Sequence, residues 1–300
     1  MANIKEIKNR IKGVQDTQKI TSAMYLIAAT KMQKAKRELE GTKPYFYALQ
    51  REIRNIFRQA GDLDSPYLLP AGQDEDENID GTYGMLVITS DKGLAGAYNQ
   101  NVIKEAHRLI GIHSDVRLYV VGEYGRHYFE TQKIPVAHSF MYTAQNPTLK
   151  RAREISGILL NDFEKQRLTR IIVVYTDFSN GLMGGQVMSS NLLPLSRSRF
   201  GGEGTHHGEN NVFEFEPSAE KVINNIIPSC ITGLVYGAMV DSFCSEQCAR
   251  MTAMDAANQN AKELLDNLKL QYNYIRQGAI TQEITEISSG AKALKKKRKS

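Results

Sequence analysis

The fold of this chain is decided by its last quarter, whose central part from Ala238 to Ile280 reads AMVDSFCSEQCARMTAMDAANQNAKELLDNLKLQYNYIRQGAI. The stretch from Ser229 to Leu294 contains no proline, and it is rich in Ala, Leu, Met, Gln, Glu and Lys, which favour helix. Read as one helix, its roughly sixty residues would span about 90 Å. A helix of that length needs a partner to be stable in water. The sequence therefore predicts a long, paired C-terminal helix.

Two stripes on this helix predict the side that faces the partner. The first stripe is made of small residues, which would let the partner approach closely, and the second is larger and more apolar. The first contains Ala238, Ser242, Ser245, Ala249, Thr252 and Ala256, and the second contains Leu264, Leu268, Tyr272, Ile275 and Ala279.

The predicted partner is the N-terminal segment, residues 3–40, which has no proline. Apolar and small residues repeat there at 3-4 spacing, which is typical of a left-handed coiled coil. We expect residues 41–44, Gly-Thr-Lys-Pro, to break or kink this helix, and residues 45–60 to resume it. The predicted seam consists of Ile4, Ile7, Ile11, Val14, Gln18, Thr21, Tyr25, Ala28, Met32, Ala35 and Leu39.

Between the two helical ends the hydrophobic period changes. Apolar runs bounded by turn residues predict strands, and amphipathic segments between them predict helices, so the middle resembles a parallel, doubly wound sheet. The predicted strands are 85–89, 116–121, 135–140, 171–175, 186–195 and 212–215, and the predicted helices are 101–110, 124–131 and 148–165.

The predicted fold class is therefore α/β plus a long coiled coil, with a Rossmann-like domain inserted between the helical ends. We predict an N-terminal coiled-coil helix over 1–60, an α/β domain over 61–217, and a C-terminal coiled-coil helix with a basic tail over 218–300. Residues 61–80 have no periodicity and predict a loop at the domain boundary. Ser218 is the predicted cap of the final helix.

Composition and charge narrow the classes of protein. No run of eighteen apolar residues or apolar leader is present, so we expect neither a transmembrane helix nor secretion. Three cysteines are too few for a disulfide framework, which favours a reducing compartment. The net charge of +5 is concentrated at the chain ends, where it could meet nucleic acid, a membrane surface or an acidic protein, or simply be solvated.

No stretch of the sequence predicts an active site. The turn Asp91–Ala97 follows the first strand, where a phosphate could sit, but its glycines are not spaced as GxGxxG, and a tight packing turn is the favoured interpretation. A P-loop is absent. Cys244 and Cys248 lie four residues apart without further ligands, and His206 and His207 are adjacent, so neither pair predicts a metal site.

Long motifs at both ends resemble one known family. They are DTQKITSAM over 16–24, AATKM over 28–32, SEQCARMTAM over 245–254 and AITQEITEI over 279–287. In the middle, TSDKGLAG over 89–96 and LLPL over 192–195 add to the resemblance. Together they resemble the gamma subunit of the F-type ATP synthase, of bacterial type, over essentially the whole chain.

The resemblance implies a rotor shaft. The antiparallel coiled coil would stand inside a ring of three alpha and three beta subunits, and the α/β domain would form a foot on the epsilon subunit and the membrane c-ring. The chain would transmit torque from ion flow to the catalytic beta subunits, and would be neither a catalyst nor bound to a cofactor or metal. It would be peripheral, on the cytoplasmic face of the bacterial plasma membrane.

The resemblance also implies contacts between rotor and stator. Met24, Glu246 and Arg250 would lie near the beta-subunit contact, and Gln277, Thr281 and Glu283 near the catch region. A shaft turning in a sleeve should lack large apolar anchors on its outer face, and residues 238–262 fit that expectation.

Three departures from the family pattern are visible. Ala95 stands where the family often has Cys, and the cysteine-bearing insert of chloroplast relatives is missing, so thiol control is not expected. The tail Lys295–Ser300 extends past the usual ending of the family, and we expect it to be disordered and dispensable.

Two other interpretations remain open from composition. One is a nucleic-acid-binding coiled-coil protein with an α/β domain, although stacking aromatics do not accompany the basic residues. The other is a Rossmann-type enzyme that uses the Gly93/Gly96 turn.

Overall fold

The computed structural model describes residues 4–60, 63–70, 80–140, 144–178, 185–196 and 214–297. The chain forms two compact units by its internal contacts. Unit 1 comprises residues 1–27 and 251–300, and unit 2 comprises residues 28–250. Two long helices, α1 (Ile4–Ala60) and α5 (Ala219–Lys297), contribute to both units. The division of the chain into three domains stays a prediction.

Unit 2 contains a five-stranded sheet and three shorter helices. The strands are β1 (Tyr83–Ile88), β2 (Val116–Val121), β3 (Val136–Phe140), β4 (Arg170–Asp177) and β5 (Gln186–Leu193). The helices are α2 (Tyr98–Ile112), α3 (Glu123–Thr131) and α4 (Leu149–Glu164). The strand order is β3-β2-β1-β4-β5, and the first four strands in the chain pair in parallel. The predicted alternation of strands and helices is confirmed.

Helices cover both faces of the sheet, which explains why its strands are almost continuously apolar. Successive side chains of a strand point to opposite faces. Met85 and Val87 of β1 join one core with α2 and with Phe129 of α3. Leu86 and Ile88 join a second core, which includes residues of α1, α4 and α5. Both long helices therefore contribute side chains to the core of unit 2.

β5 departs from the prediction because it runs antiparallel to β4, with Thr176 opposite Val187. Antiparallel neighbours can be joined by a short hairpin, whereas a parallel crossover needs a dozen or more residues. Only residues 178–185 separate β4 from β5, so the spacing already favoured the antiparallel pairing. The predicted strand at 212–215 has its first half outside the described residues, and Glu214 and Phe215 belong to no strand.

The predicted loop between α1 and β1 is partly core. Leu68 and Leu69 are 6% and 3% exposed, and the backbone around them bonds to the end of the sheet. The amide of Leu69 donates to the carbonyl of Leu195 at 3.0 Å, and the amide of Leu195 donates to the carbonyl of Tyr67 at 2.8 Å. Residues 63–70 are therefore irregular, as predicted, but firmly packed. Residues 61–62 and 71–79 lie outside the described part of the chain.

Two helix boundaries differ from the prediction. α1 passes through Pro44 as one helix, so a break at residues 41–44 is wrong, while the alternative of a kink there stays a prediction. The second half is held by burial, because Ile53 and Ile56 are 0% and 3% exposed in the core, and this compensates for the hydrogen bond that proline removes. α5 reaches Lys297, so the first part of the predicted disordered tail is helical, while residues 298–300 lie outside the described range. Ser218 caps α5 as predicted, since its Oγ accepts from the amide of Lys221 at 3.3 Å.

Unit 1 is an antiparallel pairing of α1 with α5. The predicted α1 seam positions from Ile4 to Tyr25 are all at least partly buried, which confirms that seam. Thr21 Oγ1 donates to Asn258 Oδ1 on α5, and Ser22 Oγ lies 3.4 Å from the same oxygen. Near the other end of the unit, Ile7 lines a groove with Ile275.

The predicted α5 seam is only partly correct in unit 1. Thr252, Ala256 and Leu264 are exposed. Leu265 is 6% exposed, whereas Leu264 is 43% exposed. The residues that are buried or half-buried at 4-3 spacing are Met254, Asn258, Ala261, Leu265, Leu268, Tyr272, Ile275 and Ala279.

Within the described residues, one helix could cross a membrane by length and composition, and that helix is α5. However, 61% of the qualifying window is buried inside the structure. Ile223, Ile227 and Val235 of α5 are all 0% exposed in the core of unit 2. α5 thus has the environment of a core helix.

Candidate functional site

The carboxyl ends of β1 and β4 form the place where a doubly wound sheet usually holds its ligand. The chain proceeds from β1 outward to β2 and β3, and then returns to the other side of β1 to form β4. A crevice opens at such a reversal, and ligands bind there in related α/β architectures. The turn Asp91–Ala97 follows β1 at this point, so the sequence correctly placed this turn where ligands bind in related α/β folds.

In this chain α5 fills that crevice. The Oγ of Ser242 accepts from the amide of Thr176 at 3.2 Å. The Oγ of Ser245 lies 3.4 Å from the carbonyl oxygens of both Thr176 and Asp177. The small residues that were expected to face the N-terminal helix instead let α5 approach the backbone at the end of β4. A Cβ added at Gly185 would lie 2.5 Å from the Ser245 Oγ, so the approach is close from both sides.

A different side of α5 faces α1 in unit 2. A Cβ at Gly233 would lie 2.2 Å from the ring of Phe46, so only glycine leaves room for that ring. Further along, the Sγ of Cys244 lies 4.0 Å from the carbonyl oxygen of Met32. Burial raises the pKa of Cys244 to about 12, so this thiol is a packed, protonated group at neutral pH.

Candidate metal ligands do not assemble within the part of the chain that the structure describes. No group of three or more His, Cys, Asp or Glu side chains is placed there to hold an ion. Cys248 lies one turn from Cys244 and is half-buried. His206 and His207 lie outside the described residues.

The turn between β1 and α2 is held in a single shape by several bonds. Ser90 Oγ donates to the carbonyl of Lys92 at 2.8 Å and also bonds to Asn99 of α2. Asp91 Oδ1 accepts from the amide of Glu123 at 3.3 Å, at the start of α3. Leu94, near the tip, has a left-handed backbone with φ of 64° and is 66% exposed. An exposed leucine in this conformation is unusual and points to a role.

An ion pair on α5 reaches the middle of this turn. Arg250 Nη2 donates to Glu246 Oε1, and Arg250 Nη1 donates to the carbonyl oxygen of Gly93 at 3.0 Å. Gln247 Nε2 donates to the other oxygen of Glu246 at 2.9 Å. The side chains of Arg250 and Glu246 are only 12% and 3% exposed. Both residues were predicted as partner contacts, but the structure places their charged groups within this chain.

Burial dominates the electrostatics around the pair. It raises the pKa of Glu246 above its usual range, while the bonds from Arg250 and Gln247 oppose that rise. Tyr98 at the start of α2 is buried, with 5% of its surface exposed, and the pKa of its phenol is raised far above the ordinary value, chiefly by desolvation. Tyr98 stays neutral and bonds to Ser242, which adds another link between α2 and α5.

A polar cavity of about 500 Å³ lies between α1, α5 and the end of β4. Its walls include Lys36, Lys43, Asp177 and Asp241. Burial, with a smaller contribution from Asp177, raises the pKa of Asp241 to about 6, and Lys43 opposes the shift. Neither this cavity nor the crevice combines a nucleophile with an oriented base, so the arrangement supports packing and docking more than chemistry.

The other predicted contact residues lie on outer surfaces of unit 1. Gln277, Thr281 and Glu283 are exposed on α5, and Met24 is half-buried on α1. The hydroxyl of Thr281 donates to the carbonyl of Gln277 at 2.9 Å, so its side chain lies along the helix.

Large exposed apolar side chains were not predicted and are present on both helices. Within 238–262 the described residues include none, in agreement with the expectation for that range. Beyond it, Tyr274 is 80% exposed, and residues 280–292 of α5 are all exposed. Ile280, Ile284 and Ile287 form an apolar stripe there at helical spacing, with exposures of 48%, 61% and 73%. The 4-3 spacing of these isoleucines in the sequence could have predicted the stripe.

Comparisons with known proteins agree with this architecture. A family model described as "ATP synthase" matches residues 3–294. The chain is 40% identical to the ATP synthase gamma chain of Acetivibrio thermocellus, with 98% of this chain and 100% of that one covered. It is 41% identical to that of Caldanaerobacter subterraneus subsp. tengcongensis, with 96% and 98% covered.

A solved structure shares the fold. It is the Euglena gracilis mitochondrial ATP synthase, OSCP/F1/c-ring in rotational state 3, where one chain matches with a TM-score of 0.65 at 16% identity. That match covers 99% of this chain and 96% of the other. With the family model matching nearly the whole chain and bacterial relatives about 40% identical along their full length, the chain belongs to the family of ATP synthase gamma chains.

Proposed function

We propose that this chain works as the central rotor shaft of an F1Fo ATP synthase, transmitting torque between the ion-driven membrane ring and the catalytic beta subunits. As a gamma chain it is a stalk subunit and not the catalytic one. The observation that carries the proposal is the paired helices of unit 1, whose seam is internal while an isoleucine stripe at Ile280, Ile284 and Ile287 remains uncovered. An apolar stripe of this kind marks a surface for another protein.

The proposed partners follow from the family and from the surfaces of the two units. Three alpha and three beta subunits surround the outer faces of unit 1. The α/β part of unit 2 docks on the epsilon subunit and the c-ring. The complex holds this subunit peripherally at the membrane, and in a bacterium like those of the named relatives it faces the cytoplasm.

Met24, Gln277, Thr281 and Glu283 are the proposed direct contacts with the stator. The three residues on α5 are exposed and polar, and exposed polar contacts contribute little individually, commonly less than about 1 kcal/mol each. Weak contacts of this type suit a surface that must be released at every step of rotation. Glu246 and Arg250 would act on the stator indirectly, because their charged groups are buried within this chain.

The nucleic-acid-binding alternative is not supported, because the family model and the bacterial relatives are ATP synthase chains. A Rossmann-type enzyme is also disfavoured by the structure, since α5 occupies the crevice where a nucleotide would bind.

Affinity purification of the tagged chain from membranes of cells that produce it tests the proposal. We expect alpha and beta subunits to co-purify in threefold excess each, together with ATP hydrolysis, and the complex to leave the membrane at low salt. Recovery of the chain alone, without either subunit, would contradict the rotor role.

A variant carrying Gln277→Ala, Thr281→Ala and Glu283→Ala tests the contacts in the same preparation. We expect binding of the alpha–beta ring to weaken by up to about a hundredfold, from the summed loss of three contacts of less than about 1 kcal/mol each. The matched control replaces three exposed polar residues of unit 2, Asn101, Lys104 and Gln132, with alanine, because the alpha–beta ring is not proposed to contact them. Equal weakening in both variants would contradict the proposal that Gln277, Thr281 and Glu283 contact the stator.

A further inference from the structure

We propose that Arg250 is a positioning residue which, oriented by Glu246, fixes the turn Asp91–Ala97 in the single shape that the rotor needs to couple ion flow to ATP hydrolysis. This inference rests on the proposed function for its consequence, but its structural part can be tested on the chain by itself. It replaces a direct stator contact by Arg250 and Glu246 with an action through the turn.

The bonds of Arg250 are directed inward. A guanidinium has five N–H donors in a rigid fork, and this one donates to a carboxylate on its own helix and to the Gly93 carbonyl. With its side chain 12% exposed, little of it remains for an outside partner. The planar fork is well suited to bridging two fixed acceptors, which a lysine ammonium cannot do in the same geometry.

Glu246 makes the arginine a fixed support. Its side chain is 3% exposed, and its oxygens accept from Arg250 and Gln247. A buried carboxylate is tolerated only when it is paired, so removal of either member leaves the other uncompensated. The two residues therefore act as one unit, which is directed at the turn.

The turn needs such support because of the conformation of Leu94. A left-handed backbone is unfavourable for leucine, and the side chain is 66% exposed, so burial in this chain does little to offset that cost. Ser90 and Asp91 hold the start of the turn, and Asn99 holds its α2 side. Among the contacts described for this region, the bond from Arg250 is the one that reaches the centre, at Gly93.

The consequence is a rigid and exposed apolar tip. Unfavourable backbone conformations persist at functional sites where the surroundings enforce them. Here the enforcing group sits on α5, the same helix that carries the isoleucine stripe. The bond from Arg250 to Gly93 therefore ties the turn to the part of α5 that belongs to unit 2.

Hydrogen exchange of the backbone amides of Ser90, Tyr98 and Glu123, which donate to Asn99, Ala95 and Asp91 at the turn, measures the structural part. In the full-length chain we expect Arg250→Ala to speed exchange there by about ten- to hundredfold, the ratio that one charge-assisted hydrogen bond sustains. Arg250→Lys should give a smaller increase, and Glu246→Gln should also raise it if the carboxylate orients the guanidinium. Lys262→Ala is the control, since it removes a positive charge from an exposed site on the same helix and should change nothing.

A second substitution separates positioning from direct contact. Leu94→Gly removes the conformational penalty, so the pair Arg250→Ala with Leu94→Gly should return exchange in the turn towards that of Leu94→Gly alone. In the purified complex, ATP-driven ion pumping per ATP hydrolysed should fall with Arg250→Ala and recover in the pair to the level of Leu94→Gly alone.

Two results would overturn the inference. One is unchanged exchange at the amides of Ser90, Tyr98 and Glu123 for Arg250→Ala and Arg250→Lys. The other is lost pumping that the pair fails to restore, which would make Arg250 a direct contact. If the wild-type chain captures no alpha or beta subunit, the rotor proposal fails, while the exchange result still decides whether Arg250 positions the turn.

Discussion

Asp241 is a largely buried carboxyl whose ionised form destabilises the fold. It lies beside the polar cavity between α1 and α5, where desolvation and the nearby Asp177 both disfavour its ionised form. The pKa in the folded chain is about 6 against an ordinary 3.8. Its contribution to stability is therefore fully present below pH 3.8 and is lost as the pH rises through about 6.

Asp241→Asn should stabilise the chain at neutral pH. We expect the free energy of unfolding at pH 7.5 to rise by up to about 3 kcal/mol, since each unit of pKa shift corresponds to about 1.4 kcal/mol. At pH 4 the carboxyl is almost wholly protonated in the folded chain and about half protonated in the unfolded chain, so the difference should shrink to less than about 1 kcal/mol. Urea unfolding followed by tyrosine fluorescence measures both values. An equal gain at the two pH values would show that the effect does not come from ionisation.

At the scale of elements, the heptad pattern succeeds on α1 and is ambiguous on α5. The predicted apolar stripe on α5 began with Leu264, Leu268 and Tyr272, whose 4-4 spacing does not fit a heptad. Leu265, Leu268 and Tyr272 follow the 3-4 spacing, and the structure buries them at least partly. Two adjacent leucines make both frames available, and only the frame through Leu265 has the 3-4 spacing of a heptad.

A pair of alanine substitutions tests this frame directly. Leu265→Ala removes a side chain that is 6% exposed in the seam, so we expect a loss of about 2–4 kcal/mol in the stability of unit 1. Leu264→Ala, with 43% exposure, should cost less than about 1 kcal/mol. Helix melting followed by far-ultraviolet circular dichroism gives the comparison. A larger loss for Leu264→Ala would restore the frame predicted from the sequence.

The elements that the sequence predicted well are those with a local signal. The buried strands, the α1 seam and the cap at Ser218 follow from period and residue type over a few turns of chain. The filling of the crevice by α5 has no local signal, because Ser242 and Thr176 are distant in sequence. The continuation of α1 through Pro44 depends likewise on burial of Ile53, which a local rule for proline does not include.

At the scale of the molecule, the exposed apolar surface on α5 is larger than the chain can bury by itself. The stripe at Ile280, Ile284 and Ile287 lies beyond Ala279, the last seam position. Full burial of an isoleucine side chain is worth about 1.5–3 kcal/mol. The stripe therefore favours association, with the alpha–beta ring in the complex and with other apolar surfaces when the chain is alone.

Ile284→Ser with Ile287→Ser should separate these two effects. We expect the isolated chain to become more soluble, and its affinity for the alpha–beta ring to fall by at least about tenfold, since less apolar area is buried. Thr285→Ala with Glu286→Gln changes the same turn of helix without altering the stripe and serves as the control. Light scattering measures the first effect and titration calorimetry the second. Unchanged affinity would mean that the ring does not cover this stripe.

The end of the seam at Ala279 has a consequence for how the chain matures. From there α5 continues to Lys297, a length of about 27 Å at 1.5 Å per residue. An unaccompanied helix of this size is only marginally stable in water. Its order is then linked to assembly, because a partner that binds only the helical form shifts the helix–coil equilibrium by mass action. The C-terminal end of α5 would therefore become fully helical only when a partner subunit binds it, so its helix content would differ between the free and the assembled chain.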